Sequence, residues 1–161
     1  GTAKGTATPA SERYLGQSLA AGESGPAAGL AAAVARAKGA LHWHYGYPPL
    51  AGQPDLPNRI AFCEFVGPKS AIRSDTMRHG LTLIGPHTHY PVHAHPAVEL
   101  YYVIAGTARW ITPSTDALQP PGAYVLHRAS EPHAMETGDE ALLSLYAWSG
   151  EILAPSRCTT L

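Results

Sequence analysis

The sequence predicts a mostly β protein in which short strands form a closed barrel, with α-helices at the N-terminus. Strand-like apolar runs recur at regular spacing after residue 59, and turn residues separate them. An alanine-rich stretch precedes them and favours helix. The chain has 161 residues, which suits one structural domain with a sizeable core.

The N-terminal third of the chain predicts two helices. Ser11 is a candidate cap for a short first helix. Residues 26–38 predict a second helix, because Pro26 suits the first turn and Gly39 suits the end. We therefore expect residues 1–45 to form a helical appendage packed on a barrel of residues 46–161.

Residues 46–58 are rich in proline and glycine, which predicts a long irregular loop. Loops of this length often cover binding sites. We therefore expect residues 47–57 to act as a lid.

Six strands are predicted after this loop. They cover residues 60–66, 81–84, 98–104, 108–112, 123–127 and 142–148. Turns are expected at Gly106-Thr107 and at residues 119–122. The strand that follows Glu99 is apolar on both faces, which indicates burial on both sides, as in a closed β-roll.

Two histidines and a carboxylate recur within seven residues, as His93, His95 and Glu99. Successive side chains of a strand alternate between faces, so these residues and Tyr101 would share one face if the strand continued without a bulge. Such a ligand set suits one divalent zinc, iron, manganese, cobalt or nickel ion. His133 follows a later turn and is a plausible fourth ligand.

The spacing His-x-His-x3-Glu-x6-Gly, followed by His133, resembles the two motifs of the cupin superfamily. The resemblance implies a double-stranded β-helix fold. The chain departs from the usual pattern at turns. His87 stands where glycine is usual, and Arg128 and Ser130 stand where proline and glycine are common. Thr137 stands where asparagine is common, so the loop geometry rather than the ligand set is in question.

The longer pattern Tyr90-Pro-x-His-x-His95-x3-Glu99-x-Tyr101, with His133 further on, is similar to cupin-type dimethylsulfoniopropionate (DMSP) lyases, especially the Q-type of marine bacteria. The resemblance implies a carbon-sulfur lyase that forms dimethyl sulfide and acrylate from DMSP by β-elimination. It implies a metal on His93, His95, Glu99 and His133. It also makes Tyr101 the catalytic base and Tyr90 a second active-site tyrosine.

A sulfonium substrate is a soft cation, and aromatic faces attract cations. The candidate substrate-binding aromatics are Tyr90, Tyr102, Tyr146 and Trp148, and core packing is the competing role for each. His87 and His89 are expected near the ligands or on the surface. His127 is expected to be structural.

Bulk properties exclude several classes of protein. Acidic and basic residues nearly balance, 12 against 11, which argues against a nucleic-acid partner. No apolar run has the length of a membrane span, and no signal segment is visible. Cys63 and Cys158 are expected to be free thiols. We expect a cytoplasmic monomer or homodimer whose partner is a small-molecule substrate.

Two other functions remain open at this stage. A cupin dioxygenase would use the same three histidines and glutamate to hold iron. A non-catalytic ligand-binding cupin is the third reading, although such domains usually accompany a DNA-binding module for which this chain has little room.

Overall fold

The computed structural model describes residues 4–161, which form two helices followed by strands. Helix α1 is Pro9–Gly22 and α2 is Ala28–Ala37, and 3₁₀ turns lie at Lys38–Ala40 and Leu56–Asn58. The strands are β1 (Trp43–His44), β2 (Ile60–Gly67), β3 (Ile72–Arg73), β4 (Met77–Ile84), β5 (His89–Ala94), β6 (Val98–Ala105), β7 (Ala108–Ile111), β8 (Asp116–Gln119), β9 (Tyr124–His127), β10 (His133–Thr137), β11 (Leu142–Ser149) and β12 (Arg157–Cys158).

The strands form two sheets. A seven-stranded sheet has the order β1-β2-β4-β11-β6-β9, with β3 paired to β2, and a five-stranded sheet has the order β12-β5-β10-β7-β8. The mostly β prediction is confirmed. The closed barrel is not, because no strand pairing joins the two sheets among residues 4–161.

The start of α1 differs from the sequence prediction. Thr8 rather than Ser11 is the N-cap, and Pro9 occupies the first helical turn. The Thr8 side chain accepts from the Ser11 N–H at 3.2 Å, and the Ser11 hydroxyl accepts from the Thr8 N–H at 2.9 Å. This reciprocal pair satisfies two otherwise free donors, so the helix begins three residues earlier than predicted.

The helices pack on the seven-stranded sheet and share a core with it. Tyr14 and Leu19 of α1 lie in one apolar cluster with Leu83, Ile104 and Leu143 of the strands. A second cluster, which includes Tyr90, Tyr101, Trp110, Met135 and Tyr146, draws on both sheets. Of the predicted site residues, Tyr90, Tyr101 and Tyr146 belong to this second cluster and Trp148 packs against it, whereas Tyr102 packs against the first cluster.

The segment that carries the motif is not one strand. His93 lies on β5 of the five-stranded sheet, whereas Glu99 lies on β6 of the seven-stranded sheet. Pro96 lies in the break between them, where its missing N–H suits an interruption of strand pairing. The assumption of a continuous strand is therefore wrong, and the side chains converge because the chain crosses from one sheet to the other.

Two non-glycine residues adopt positive φ, His87 at 50° and Ser130 at 61°. Both stand where the cupin pattern usually has glycine, a residue that adopts positive φ without steric cost. Left-handed backbone costs an L-residue about 1–2 kcal/mol relative to glycine.

Ser130→Gly is therefore expected to stabilise the protein by about 0.5–1 kcal/mol, since relief of the turn outweighs the greater freedom of glycine in the unfolded chain. Thermal unfolding would measure this. The control is Ser114→Gly at an exposed turn whose φ is negative, where we expect a small loss. Equal effects of the two substitutions would contradict the strain argument.

Cys63 and Cys158 are both free thiols, as predicted. Among residues 4–161, no helix has both the length and the apolar character needed to cross a bilayer.

Candidate metal centre and active site

Three buried side chains from three segments meet between the sheets. His95 follows β5, Glu99 lies on β6 and His133 begins β10, and their ligand atoms all lie within 4.8 Å of one another. Glu99 Oε2 is 2.8 Å from His95 Nε2 and 3.3 Å from His133 Nε2. Each residue is at most 3% exposed.

The imidazoles are oriented by the main chain. The Nδ1 atoms of His93, His95 and His133 lie 2.8, 3.0 and 2.9 Å from the carbonyl oxygens of Pro91, Ala97 and Glu131. A carbonyl only accepts, so each Nδ1 carries a proton and each ring is fixed with Nε2 as the atom available to a cation. Metal-binding histidines are commonly fixed in this way.

These residues fit a divalent cation. His133 Nε2 is buried and forms no hydrogen bond among the described residues, because its contact with Glu99 Oε2 at 3.3 Å is poorly directed. Leaving such an atom unsatisfied is costly in a protein interior, and a bound cation would satisfy it. One carboxylate and several neutral imidazoles also form a donor set that suits first-row metals.

His93 borders this cluster. It lies opposite His133 in the strand register, and the two ring centroids are 4.1 Å apart. The group of residues whose ligand atoms lie within 4.8 Å of one another contains His95, Glu99 and His133 but not His93. His93 therefore stays a predicted fourth ligand.

Burial and charge set the protonation of the cluster. Burial alone would raise the pKa of Glu99, but the neighbouring imidazoles of His133 and His95 outweigh it and hold the pKa below its usual value. Burial, followed by the proximity of His133, lowers the pKa of His93. A cation that binds here would displace any proton from Nε2 of the coordinating imidazoles, so binding would release protons.

Tyr101 lies two residues after Glu99 on β6 and is 2% exposed. It lines the cavity described below, and its ring centroid is 6.4 Å from that of His133. Burial raises the pKa of Tyr101 well above 10, and the charge of Glu99 raises it further. The protein side chains alone therefore keep this phenol protonated.

A cavity of about 190 Å³ opens beside these residues. Drug-sized ligands usually occupy pockets of about 300–1,000 Å³, so this one suits a small ligand. Its lining includes Tyr47, Tyr90, Tyr146 and Trp148, with His93, His95, Glu99 and Tyr101. Tyr102 is not among the described lining residues, since it packs on Tyr124 with ring centroids 4.7 Å apart.

Sequence reasoning did not single out Tyr47 as a site residue. Its hydroxyl lies 2.6 Å from that of Tyr90 and donates to Ser156 at 2.7 Å. Tyr90 in turn stacks on His93 with ring centroids 4.0 Å apart. Tyr47 opens the proline-rich loop, and its position there was the available signal.

The lid of residues 47–57 stays a prediction. Tyr47, its first residue, lines the cavity and so links this loop to the candidate site. If residues 47–57 close over a ligand, their amide hydrogen exchange should slow when a non-reactive substrate analogue binds, because closure orders the loop and excludes water. The exposed turn at residues 113–115 is the internal control. If the hydrogen exchange of residues 47–57 did not change, the loop would be a fixed part of the cavity lining and not a lid.

The remaining motif histidines have other positions. His87 and His89 are on the surface, 3.1 Å from Asp139 and 3.2 Å from Glu136. His127 is buried and stacks on His133, with ring centroids 3.8 Å apart and planes 9° apart. Burial and the proximity of His133 lower its pKa to about 3, so it packs behind His133 as a neutral ring.

Comparison with known proteins places this geometry in context. The family model for dimethylsulfoniopropionate lyases matches residues 2–144. DddL of Cereibacter sphaeroides, a candidate DMSP lyase, is 36% identical over 138 residues, which is 85% of this chain and 58% of DddL. The DMSP lyase DddQ of Ruegeria pomeroyi is 28% identical over 111 residues, 68% of this chain and 55% of DddQ.

Solved structures agree on the fold. A chain from the crystal structures of the DMSP lyases RdDddP and RnDddQII superposes with a TM-score of 0.84 at 25% identity, over 98% of this chain and 81% of that one. A cupin-like protein of Thermotoga maritima superposes with a TM-score of 0.54 at 13% identity, over 62% of this chain and 75% of that one, which shows the fold alone. The cupin fold is therefore confirmed.

The chain spans just over half the length of the curated relatives it matches, 58% of one and 55% of the other. The family match nevertheless covers most of the chain, and it includes the segments that carry His93, His95, Glu99, Tyr101 and His133. This chain belongs to the dimethylsulfoniopropionate lyase family.

Proposed function

We propose that this chain is a metal-dependent lyase that cleaves DMSP into dimethyl sulfide and acrylate by β-elimination. One observation carries the proposal. His95 and Glu99, two members of the buried cluster with His133, line a small cavity together with a buried tyrosine, Tyr101, in a member of the DMSP lyase family. The Q-type resemblance of the sequence agrees with the similarity to DddQ.

The proposed metal ligands are His93, His95, Glu99 and His133. A divalent cation held there would stabilise negative charge on a substrate carboxylate and favour the phenolate form of Tyr101. That second effect is needed, since burial and Glu99 alone raise the pKa of Tyr101.

Tyr101 is the proposed general base. Its phenolate oxygen takes the proton from the carbon next to the substrate carboxylate. The electron pair of that C–H bond becomes the second bond between the two carbons. The bond from the β-carbon to sulfur breaks, and sulfur keeps its electron pair. Neutral dimethyl sulfide and acrylate result, so charge and atoms balance.

The other aromatic residues of the cavity are proposed to orient the substrate. Tyr90 is held by Tyr47 at 2.6 Å and by its stack on His93, so its hydroxyl has a fixed position next to the cluster. Tyr146 and Trp148 line the same cavity, and Tyr146 is the proposed principal contact for the sulfonium. Tyr102 lies elsewhere and is not included in this proposal.

Headspace gas chromatography of the purified protein with DMSP tests the function. We expect dimethyl sulfide and acrylate in equal amounts, without oxygen uptake, and loss of both after treatment with a chelator. Oxygen consumption with DMSP would favour a cupin dioxygenase. Binding of DMSP without turnover at saturating metal would favour the non-catalytic reading, and either result would overturn the proposal.

A further inference from the structure

We propose that Trp148 is a positioning residue of the metal centre, which fixes Glu99 so that a single carboxylate oxygen faces the cation. This inference rests on the metal site of the proposed function and goes beyond it. Sequence reasoning considered Trp148 only as a substrate contact or a core residue.

The first observation is a hydrogen bond to a predicted ligand. Trp148 on β11 lies directly opposite Glu99 on β6 in the strand register. Its indole Nε1–H donates to Glu99 Oε1 at 2.8 Å. The other oxygen, Oε2, faces His95 Nε2 at 2.8 Å and His133 Nε2 at 3.3 Å. The indole therefore occupies one carboxylate oxygen and leaves the other to the cluster.

The second observation is that the indole is itself held. Its ring stacks on His95, with centroids 4.0 Å apart and planes 26° apart. The Arg78 guanidinium lies over the ring, 5.6 Å from its centroid, and pairs with Glu64 at 3.2 Å. Trp148 thus contacts two predicted ligands at once, one through its ring and one through its N–H.

These contacts also argue against Trp148 as the principal sulfonium contact. The flat surface of the indole already carries an imidazole and a guanidinium. A second cation there would meet the repulsion of Arg78 and compete for the same ring surface. Tyr146 lines the cavity without contacting a predicted ligand in this way. It is the better candidate for the sulfonium.

Trp148→Phe tests the inference, because it keeps an aromatic ring and removes the N–H. Titration of metal-free protein with Co²⁺, followed by visible absorption and by competition with a chelator, measures affinity without any substrate. Loss of a hydrogen bond that orients a ligand typically costs about 10–100-fold in metal affinity, and we expect a loss in that range. Unchanged Co²⁺ affinity would overturn the inference.

Trp43→Phe is the matched control. Trp43 is also buried, and its indole nitrogen has no hydrogen-bond partner among the described residues. The same chemical change there should leave Co²⁺ affinity unchanged. Thermal unfolding of both metal-free variants reports any general loss of stability.

A double-substitution cycle separates positioning from general destabilisation. If Trp148 acts through Glu99, then Trp148→Phe should cost little further Co²⁺ affinity in a Glu99→Ala background. An equal cost in both backgrounds would overturn the inference. Weakened Co²⁺ binding in a protein that does not cleave DMSP would support this role while the proposed function failed. Cleavage of DMSP by the unaltered protein, together with unchanged Co²⁺ affinity in Trp148→Phe, would support the proposed function and overturn the role of Trp148.

Discussion

His133→Ala is expected to remove most of the bound metal. His133 is one of three residues whose ligand atoms lie within 4.8 Å of one another, and its Nε2 forms no hydrogen bond among the described residues although Glu99 Oε2 is 3.3 Å away. Loss of a residue that merely orients a ligand costs about 10–100-fold in metal affinity, so loss of a ligand should cost at least the upper end of that range. Alanine leaves a gap that the rigid strands cannot close.

Metal content by elemental analysis, after dialysis against a weak chelator, measures the effect. His89→Ala is the control, since His89 is an exposed histidine on the same strand as His93. Full occupancy in His133→Ala would refute the assignment. His93→Ala adds a second comparison, because strong loss there supports four ligands whereas retention supports the three-residue cluster alone.

Tyr101→Phe is expected to lower the rate of dimethyl sulfide formation by about 10²–10⁴, the usual contribution of a positioned base. The change removes one oxygen from a buried ring and leaves all four predicted ligands in place. Metal content should therefore match that of the unaltered protein. Near-normal acrylate production by metal-loaded Tyr101→Phe would overturn the mechanism even if the lyase activity proved correct.

The pH profile adds an independent measure of Tyr101. A base must be deprotonated, so the rate should fall as pH drops through the pKa of the phenol, and this acidic limb should vanish in Tyr101→Phe. Burial and Glu99 raise that pKa in the metal-free chain. An acidic limb near neutral pH would therefore show how far the cation lowers the pKa of Tyr101. In the control Tyr90→Phe the limb should persist, with a smaller loss that falls partly on KM.

Much of the fold followed from local patterns. All six predicted strands are present, and β2, β6 and β11 extend by only one residue beyond their predicted ends. Strands β8 and β10 were not predicted, and the short strands β1, β3 and β12 were missed because two residues carry no alternation to detect. The separation of β5 from β6 was also missed. Alternate positions look the same in one continuous strand and in two that cross between sheets.

The candidate site was predictable in its residues and not in its geometry. His95, Glu99 and His133 followed from spacing and resemblance, and the structure brings them together. The contact of Tyr47, in the loop after β1, with Tyr90 joins residues 43 positions apart, and the contact between Trp148 and Glu99 joins neighbouring strands 49 positions apart. No local pattern records such pairings.

The carbonyl groups that hold the three imidazoles have a consequence for how the protein would acquire the proposed ion. Because the main chain sets each ring before any cation arrives, exchange of one ion for another requires no rearrangement of the backbone. The fold would thus fix the position of the metal site more strongly than the identity of the metal. Which ion occupies it then depends on the supply inside the producing cell, since affinity alone discriminates poorly among first-row metals. Preparations from different growth media should therefore differ in metal content while sharing one fold.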